Sequence, residues 1–380
     1  MKKKVLLVAT VQSHIAQFHK PLIDMLHEMG YEVHIAAKNN LLQKNGLKIE
    51  NADKIFDISF ERQPFKIKNI KAYFELKNII KENDYNILHC NTPMGGVIAR
   101  MIGKKYRKKG LKIIYTAHGF HFFEGAPKIN WILYYPIEKY LSKFTDCLIT
   151  MNKEDYDIAK NKFYAKKVVY THGIGLNTKK FNIEMSPEEK EKLRQKLGIS
   201  QKDFVIIYVA ELINRKNHYM ILNTMKKFNN KQNIKLLLVG NGNLEEEYKK
   251  YLKENHLEEN IKMLGYRIDV PQLMKISDIA ISTSKQEGLP VNVMEAMISG
   301  LPDIVTNCRG NRDLIENEKN GYVIDINNES DLYEKIIKLY NDPELRKKMG
   351  QKGKELIAPF ELKNVIVELK NIYIEVENMR

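Results

Sequence analysis

Short, continuously apolar runs recur along this chain, each followed by a stretch with helical spacing, and that alternation leaves few folds open. Val5–Ala9 is such a run; Phe18–Met29 follows with helical spacing and stops at Gly30; Tyr31–Ala36 is strand-like again. Ile87–Cys90, a helix from about Gly95 to Lys109, Lys112–Ala117 and Cys147–Thr150 continue the pattern. Runs that are apolar throughout belong to strands covered on both faces, so the sheets should be parallel, with helices on either side. After His172–Gly175 and a polar stretch from Asn177 to Glu188, the pattern restarts with Phe204–Val209, Lys235–Val239, Ile261–Leu264, Ile279–Ser282, Asp303–Thr306 and Tyr322–Ile324. Gly173 and Gly175 suit a hinge near residues 173–180. The sequence therefore predicts two doubly wound α/β domains, residues 1–175 and 176–361, with residues 362–380 as a helix packing back toward the first. Ligands of such sheets bind beyond the carboxyl ends of the strands, so the expected site is a cleft between the domains.

With 43% hydrophobic and 9% aromatic residues, the 380-residue chain is ordinary globular material, which excludes disorder, collagen and a small disulfide scaffold. Cys90, Cys147 and Cys308 stand far apart without CxxC spacing, so neither a zinc knuckle nor a disulfide framework is expected, and a reducing cytoplasm fits. The start, Met1–Lys4 followed by Val5–Ala9, has too short an apolar run for a leader and reads as the first buried strand. No window approaches the roughly 18 to 20 apolar residues of a membrane span. The net charge of +15 lies in residues 1–180, while residues 181–380 are neutral. Clusters at Lys66–Lys81 and Lys104–Lys109 would attract anionic lipid headgroups or nucleic acid about equally well, or else form a solvated basic face without a partner. Specific nucleic-acid binding is not expected, because the clusters carry no RNP-like or helix-turn-helix pattern.

The chemistry concentrates around two glutamates with seven residues between them, Glu287 and Glu295. The Gly288–Pro290 turn follows the strand Ile279–Ser282 and leads into a helix starting near Val291, whose free N–H groups and dipole favour a diphosphate. Glu295, about one turn in, can accept hydrogen bonds from vicinal hydroxyls such as those of a ribose. Soon after the strand Phe204–Val209, Arg215 and Lys216 can neutralise a diphosphate leaving group without a metal. His118 ends a strand ahead of Gly119, a position open to a cleft. Gly240-Asn-Gly242 would begin a dinucleotide fingerprint, but Glu245 stands where the third glycine belongs, which excludes a nicotinamide reading. Asp155-Tyr-Asp157 is formally a DxD metal motif; it follows Asn152 at a helix start, where acids serve the helix dipole, so no metal is predicted.

Through these residues the chain resembles a known family over nearly its whole length: the retaining glycosyltransferases of family 4, with the two-domain GT-B fold. Ala9–His19, Tyr115–Pro127, Glu287–Met297 and Leu301–Asn311 carry the likeness, which is especially close to glycosyltransferases of bacterial exopolysaccharide and capsule operons. The resemblance implies an α/β fold of two Rossmann-like domains facing an interdomain cleft. It implies that Glu287 meets the donor sugar, that Gly288, Leu289 and Pro290 hold sugar and diphosphate, and that Glu295 binds the ribose. His118 would contact the donor sugar and the transition state, and Lys216 the diphosphate. Gly240 and Gly242 would stay near the nucleotide, with Arg267, after Tyr266, beside the base. The family usually has Gly-Arg where Ala210-Glu211 stand, so Arg215 would compensate for the missing arginine. Ser13 and His14, in the first strand-to-helix loop, and His121 would fall on the acceptor side.

The expected activity is thus a retaining, metal-independent hexosyl or N-acetylhexosaminyl transfer from a nucleotide-diphosphate sugar, a UDP-sugar, to a saccharide acceptor carried on a polyprenyl diphosphate. Exopolysaccharide or capsule synthesis would be its setting. The nucleotide-sugar is a co-substrate and no cofactor is implied. Glu287 as a covalent nucleophile is a competing role for that residue. The expected location is cytoplasmic, peripherally associated with the inner face of the cell membrane through the basic N-terminal domain. Rival readings are a sugar-nucleotide epimerase of the same fold class and a nucleic-acid-binding protein.

Overall fold

The computed structural model describes residues 2–43, 46–228 and 233–379; Met1 and Arg380, the outermost residues of the expected domain bounds, lie outside them. Seven strands form the first sheet: β1 (Lys3–Val11), β2 (Tyr31–Lys38), β3 (Lys54–Asp57), β4 (Ile87–Asn91), β5 (Lys112–Ala117), β6 (Cys147–Thr150) and β7 (Lys167–Tyr170). They lie in the order β3-β2-β1-β4-β5-β6-β7, every neighbouring pair parallel. Six form the second: β8 (Phe204–Val209), β9 (Ile234–Val239), β10 (Ile261–Met263), β11 (Ile279–Ser282), β12 (Asp303–Thr306) and β13 (Gly321–Ile324). Their order is β10-β9-β8-β11-β12-β13, again all parallel. Val5 to Ala9 of β1 are fully buried, as an apolar run between two helical layers must be.

Each sheet reverses its strand order once, between β1 and β4 and between β8 and β11. At such a point the connections leave in opposite directions and open a crevice beyond the strand ends. The chain divides into one unit of Met1–Gly175 with Lys363–Arg380 and another of Leu176–Leu362. The last helix, Leu362–Asn378, packs on the first sheet, where Tyr373 is fully buried with its hydroxyl 2.7 Å from His89 Nδ1.

Local structure departs from the sequence pattern in four places. β3 and β7 lie outside the expected runs; both are four-residue edge strands with no buried residue. β1 runs straight into a helix, Gln12–Phe18, so Ser13 and His14 sit in its first turn and not in a loop. The helix expected from Phe18 begins at Lys20, because Pro21 lacks the N–H a preceding turn would need and is favoured at a helix start. The helix expected to reach Lys109 is Pro93–Gly103, followed by a 3-10 turn at Arg107–Lys109; continuing the α-helix would have stacked like charges four residues apart. Gly96 within that helix lies against the Tyr115 ring, where a Cβ would come within 2.6 Å, so the helix settles closely on β5. Among the described residues no helix is long and apolar enough to cross a membrane, and the three cysteines are free and buried.

Candidate active site

In the second unit the crevice between β8 and β11 is built from the segments that follow those two strands. After β8 the chain makes a 3-10 turn at Asn214–Lys216 and passes through a left-handed Asn217 into the helix His218–Lys226. After β11 it continues without helix or strand to Glu287. The segments are stitched together: the Tyr208 hydroxyl donates to Lys216 O (2.6 Å), Thr283 Oγ1 to Asn217 O (2.9 Å), and Lys285 N to Arg215 O (2.9 Å). This fixes the two cations over the acid. Lys216 Nζ lies 2.5 Å from Glu287 Oε1 and Arg215 Nη1 lies 3.2 Å from Oε2, while the same Nη1 donates to Gln286 O at 2.7 Å. Glu287 is 6% exposed. Burial pushes its carboxyl up, but Lys216 and then Arg215 reverse that and hold it below the usual carboxylate range.

The neighbouring segments close on this pair. Gly240, at φ +141°, and Gly242 lie on the Ala210–Leu212 backbone, where a Cβ would come within 2.1 Å of Ala210 O and 2.3 Å of Leu212 O. That close approach, not a dinucleotide fingerprint, accounts for the two glycines. Gly240 N donates to Gly265 O (2.8 Å), which brings the turn after β10 alongside; two residues on, Arg267 pairs with Asp269 (Nε to Oδ1, 2.7 Å) and makes no bond to Glu287. Pro290 precedes the helix Val291–Ser299 without a side-chain cap, so the N–H groups of its first turn are available to an anion. Glu295, on the second turn, has its carboxyl pushed up to about 7 by burial, against an opposing pull from Lys180. Arg309, which nothing in the spacing of the sequence marks, is 2% exposed and donates from Nε to Glu287 O at 2.9 Å. Next to it Gly310 packs on Gly288, with room for no Cβ.

In the first unit the crevice between β1 and β4 is closed by Thr10 and Thr92, whose hydroxyls lie 2.8 Å apart. Here the structure brings His14 and His118 together, Nε2 to Nε2 at 3.3 Å, with Asn91 Oδ1 3.2 Å from His118 Nε2. Burial, with the neighbouring imidazoles adding to it, drives His14 far below its usual range; burial and then His19 push His118 down to about 3. Both rings are therefore neutral at physiological pH, each with one donor and one acceptor nitrogen. Ser13 is held by Asn40, N to Oδ1 at 3.0 Å and Oγ from Nδ2 at 2.9 Å. His121 stacks on Tyr134 with centroids 4.5 Å apart. Asp155 is engaged in the fold: Asn152 Nδ2 and Phe120 N both donate to its Oδ2, at 2.9 and 3.0 Å. Among the described residues one set could close on a metal, the ring nitrogens of His14, His19 and His118, all within 4.8 Å of one another.

Residues 189–356 match the family model described as Glycosyl transferases group 1, and residues 4–152 the one described as Glycosyl transferase 4-like. EpsD of Bacillus subtilis (strain 168), named as a glycosyltransferase, is 38% identical over 362 residues, 95% of this chain and 93% of its own length. The UDP-Gal:alpha-D-GlcNAc-diphosphoundecaprenol alpha-1,3-galactosyltransferase of Escherichia coli is 29% identical over 285 residues, 73% of this chain and 72% of that one. The crystal structure of Anabaena HepE in complex with UDP and glucose has a TM-score of 0.78 at 19% identity, covering 98% of this chain and 100% of that one, a likeness of fold.

Proposed function

Because the chain belongs to the family 4 glycosyltransferases of GT-B fold, we propose that it moves a hexosyl or N-acetylhexosaminyl group from a UDP-sugar, with retention, to a hydroxyl of a saccharide carried on a polyprenyl diphosphate. The observation that carries this reading is the Arg215–Lys216–Glu287 constellation at the β8/β11 crevice, beside an uncapped helix start and within one helix of Glu295. As the glycosidic bond breaks, charge grows on the diphosphate; Lys216, Arg215 and the N–H groups after Pro290 are the donors that meet it. Glu287 occupies those cations until the donor arrives and then accepts from sugar hydroxyls. Glu295 takes the ribose, with Gly240, Gly242 and Arg267 toward the base. His118 supplies a neutral hydrogen-bonding nitrogen to the sugar, and Ser13, His14 and His121 belong to the acceptor. The incoming hydroxyl attacks the face the diphosphate leaves, so configuration is kept.

Positive charge from side chains and a helix start takes the place of a metal in this scheme. The setting is exopolysaccharide or capsule synthesis at the cytoplasmic face of the membrane, with an undecaprenyl-linked acceptor of the kind named for the Escherichia coli relative. The deciding experiment offers a panel of UDP-sugars with a polyprenyl-diphosphate saccharide, in the presence of EDTA. Transfer with the donor's anomeric configuration supports the proposal. Inversion, donor epimerisation without transfer, or activity lost to EDTA and restored by magnesium, manganese or zinc would overturn the corresponding part, zinc pointing to His14, His19 and His118.

A further inference from the structure

Beside His14 the first unit holds a cavity of about 930 Å³, and its walls are built unlike those of a sugar site. Its floor is one face of the helix Pro93–Gly103, through Met94, Val97, Ile98 and Met101 at helical spacing. Ile70, Tyr73 and Phe74 of the helix Lys68–Asn83 form one wall, and Tyr134 and Ile137 of the helix Lys128–Ser142 the other. The buried Arg100–Glu138 pair, 2.7 Å from Nη2 to Oε2, ties floor to wall. Thr92, Pro93, His14 and Gly119 line the end at the β1/β4 crevice, so the floor leads away from the proposed acceptor position for about 16 Å, an eleven-residue helix at 1.5 Å per residue.

The rim is also unusual. Phe65 and Ile67 are 92% and 82% exposed, Ile70 and Phe74 continue their stripe, and Ile129, Ile132, Leu133 and Ile137 make a second exposed stripe on the opposite wall helix. Apolar stripes left open at helical spacing mark a surface that meets something apolar. Arg62 and Lys66 line the same cavity, neither in an ion pair among the described residues, and Arg62 is near enough to act on the His14 imidazole. A neutral saccharide calls for none of this.

Resting on the transferase reading above, we propose that this groove takes the polyprenyl chain of the acceptor itself, with Arg62 and Lys66 on its diphosphate and the saccharide at His14 and His121. The chain enters from the bilayer between the two exposed stripes, and lipid length becomes a specificity determinant of the enzyme. The charges match the occupant: an anionic diphosphate at the cationic end, hydrocarbon along the apolar floor.

The test compares one saccharide diphosphate carried on a long polyprenol and on a short alkyl chain, both in the same detergent. KM should be at least about tenfold lower for the long chain, as burying a few methylenes implies. Val97→Trp, which fills the floor, and Phe74→Glu, an exposed position that folding tolerates, should each collapse that ratio toward one. A polyprenyl diphosphate bearing a photoreactive tail should label the peptide containing Met94, Val97 and Met101. Labelling there without turnover of either acceptor would support the groove and overturn the transferase reading. Turnover of both acceptors with equal KM, or label found only outside the groove, would overturn the groove and leave the transferase standing.

Discussion

Lys216 Nζ sits 2.5 Å from Glu287 Oε1, and this contact joins the segment after β8 to the segment after β11 across the point where the sheet reverses. Both side chains are largely buried, so neither charge is indifferent to the loss of the other. The pair is a brace of the second unit, and in the proposed reaction its cation is the one that meets the diphosphate.

Lys216→Ala should lower turnover by roughly 10² to 10³, the usual loss for one preorganised transition-state donor, with a smaller effect on UDP affinity. It should also destabilise the protein by up to about 3 kcal/mol, because a buried carboxylate keeps only Arg215 as partner. Adding Glu287→Gln should restore the melting temperature and leave turnover low. Identical melting of the single and double variants would show that the pair is not coupled.

On the proposed ribose role, Glu295 should make UDP binding pH-dependent. Its carboxyl is pushed up to about 7 by burial, so the anion that would accept from ribose hydroxyls is fully formed only above that pH. Affinity should rise between about pH 6 and about pH 8, and Glu295→Gln should flatten that component. Glu295→Ala should cost roughly 1.5 to 3 kcal/mol of binding at high pH. Stability runs the other way: a carboxyl raised in the folded state stabilises below its ordinary 4.5, and that contribution is lost as pH rises through about 7. Calorimetric UDP titrations across the range decide the first, and denaturant midpoints of the wild type and Glu295→Gln at the same pH values the second.

Acid should unfold this protein early. His118 and His218 are pushed down to about 3, and His14, His19 and His89 are lowered as well, burial being the first cause in each. The unfolded chain binds protons below 6.5 that the folded chain refuses. Stability is therefore intact above 6.5 and falls as pH drops toward 3, by up to about 1.4 kcal/mol per pH unit for each such group. Denaturant midpoints at about pH 7 and pH 5 should differ clearly. Equal midpoints would mean that these imidazoles titrate normally.

The basic cluster after Gly103 divides into a paired arginine and, among the described residues, unpaired lysines. Arg107 is paired with Asp146 at 2.6 Å, and Asp146 is buried, so Arg107→Gln should lower the melting temperature. Lys105, Lys108 and Lys109 are exposed and Lys104 half-buried, and they make no ion pair among the described residues. Changing those four lysines to glutamine should release the protein from anionic liposomes by roughly 1 kcal/mol for each one near the surface, with UDP affinity unchanged. A wild-type protein that fails to float with anionic liposomes at low salt would refute membrane docking through this charge.

Apolar runs announce strands buried on both faces, which is why β5, β8 and β11 stand in the sequence residue for residue, while β1 extends two residues beyond its apolar run at each end. β3 and β7 carry Lys54, Asp57 and Lys167 within four residues, and an edge strand has no need of a buried face. Glu287, Lys216 and Glu295 are legible because strand ends and a helix start fix their surroundings locally. Arg309 is not, since its bond goes to the main-chain oxygen of Glu287 and any residue there would offer one. The meeting of His14 with His118 and His19 depends on β1, β4 and β5 lying side by side, a fact of strand order that no local spacing encodes.

The helix Leu362–Asn378 closes the first sheet only after the whole second unit has been made. On the ribosome the early strands must wait with the Tyr373 face of their core uncovered while nearly two hundred further residues emerge. A chaperone that shields apolar surface has its longest opportunity in that interval. Emergence of that helix, not the completion of the first seven strands, is the moment at which His89 can gain the hydroxyl of Tyr373.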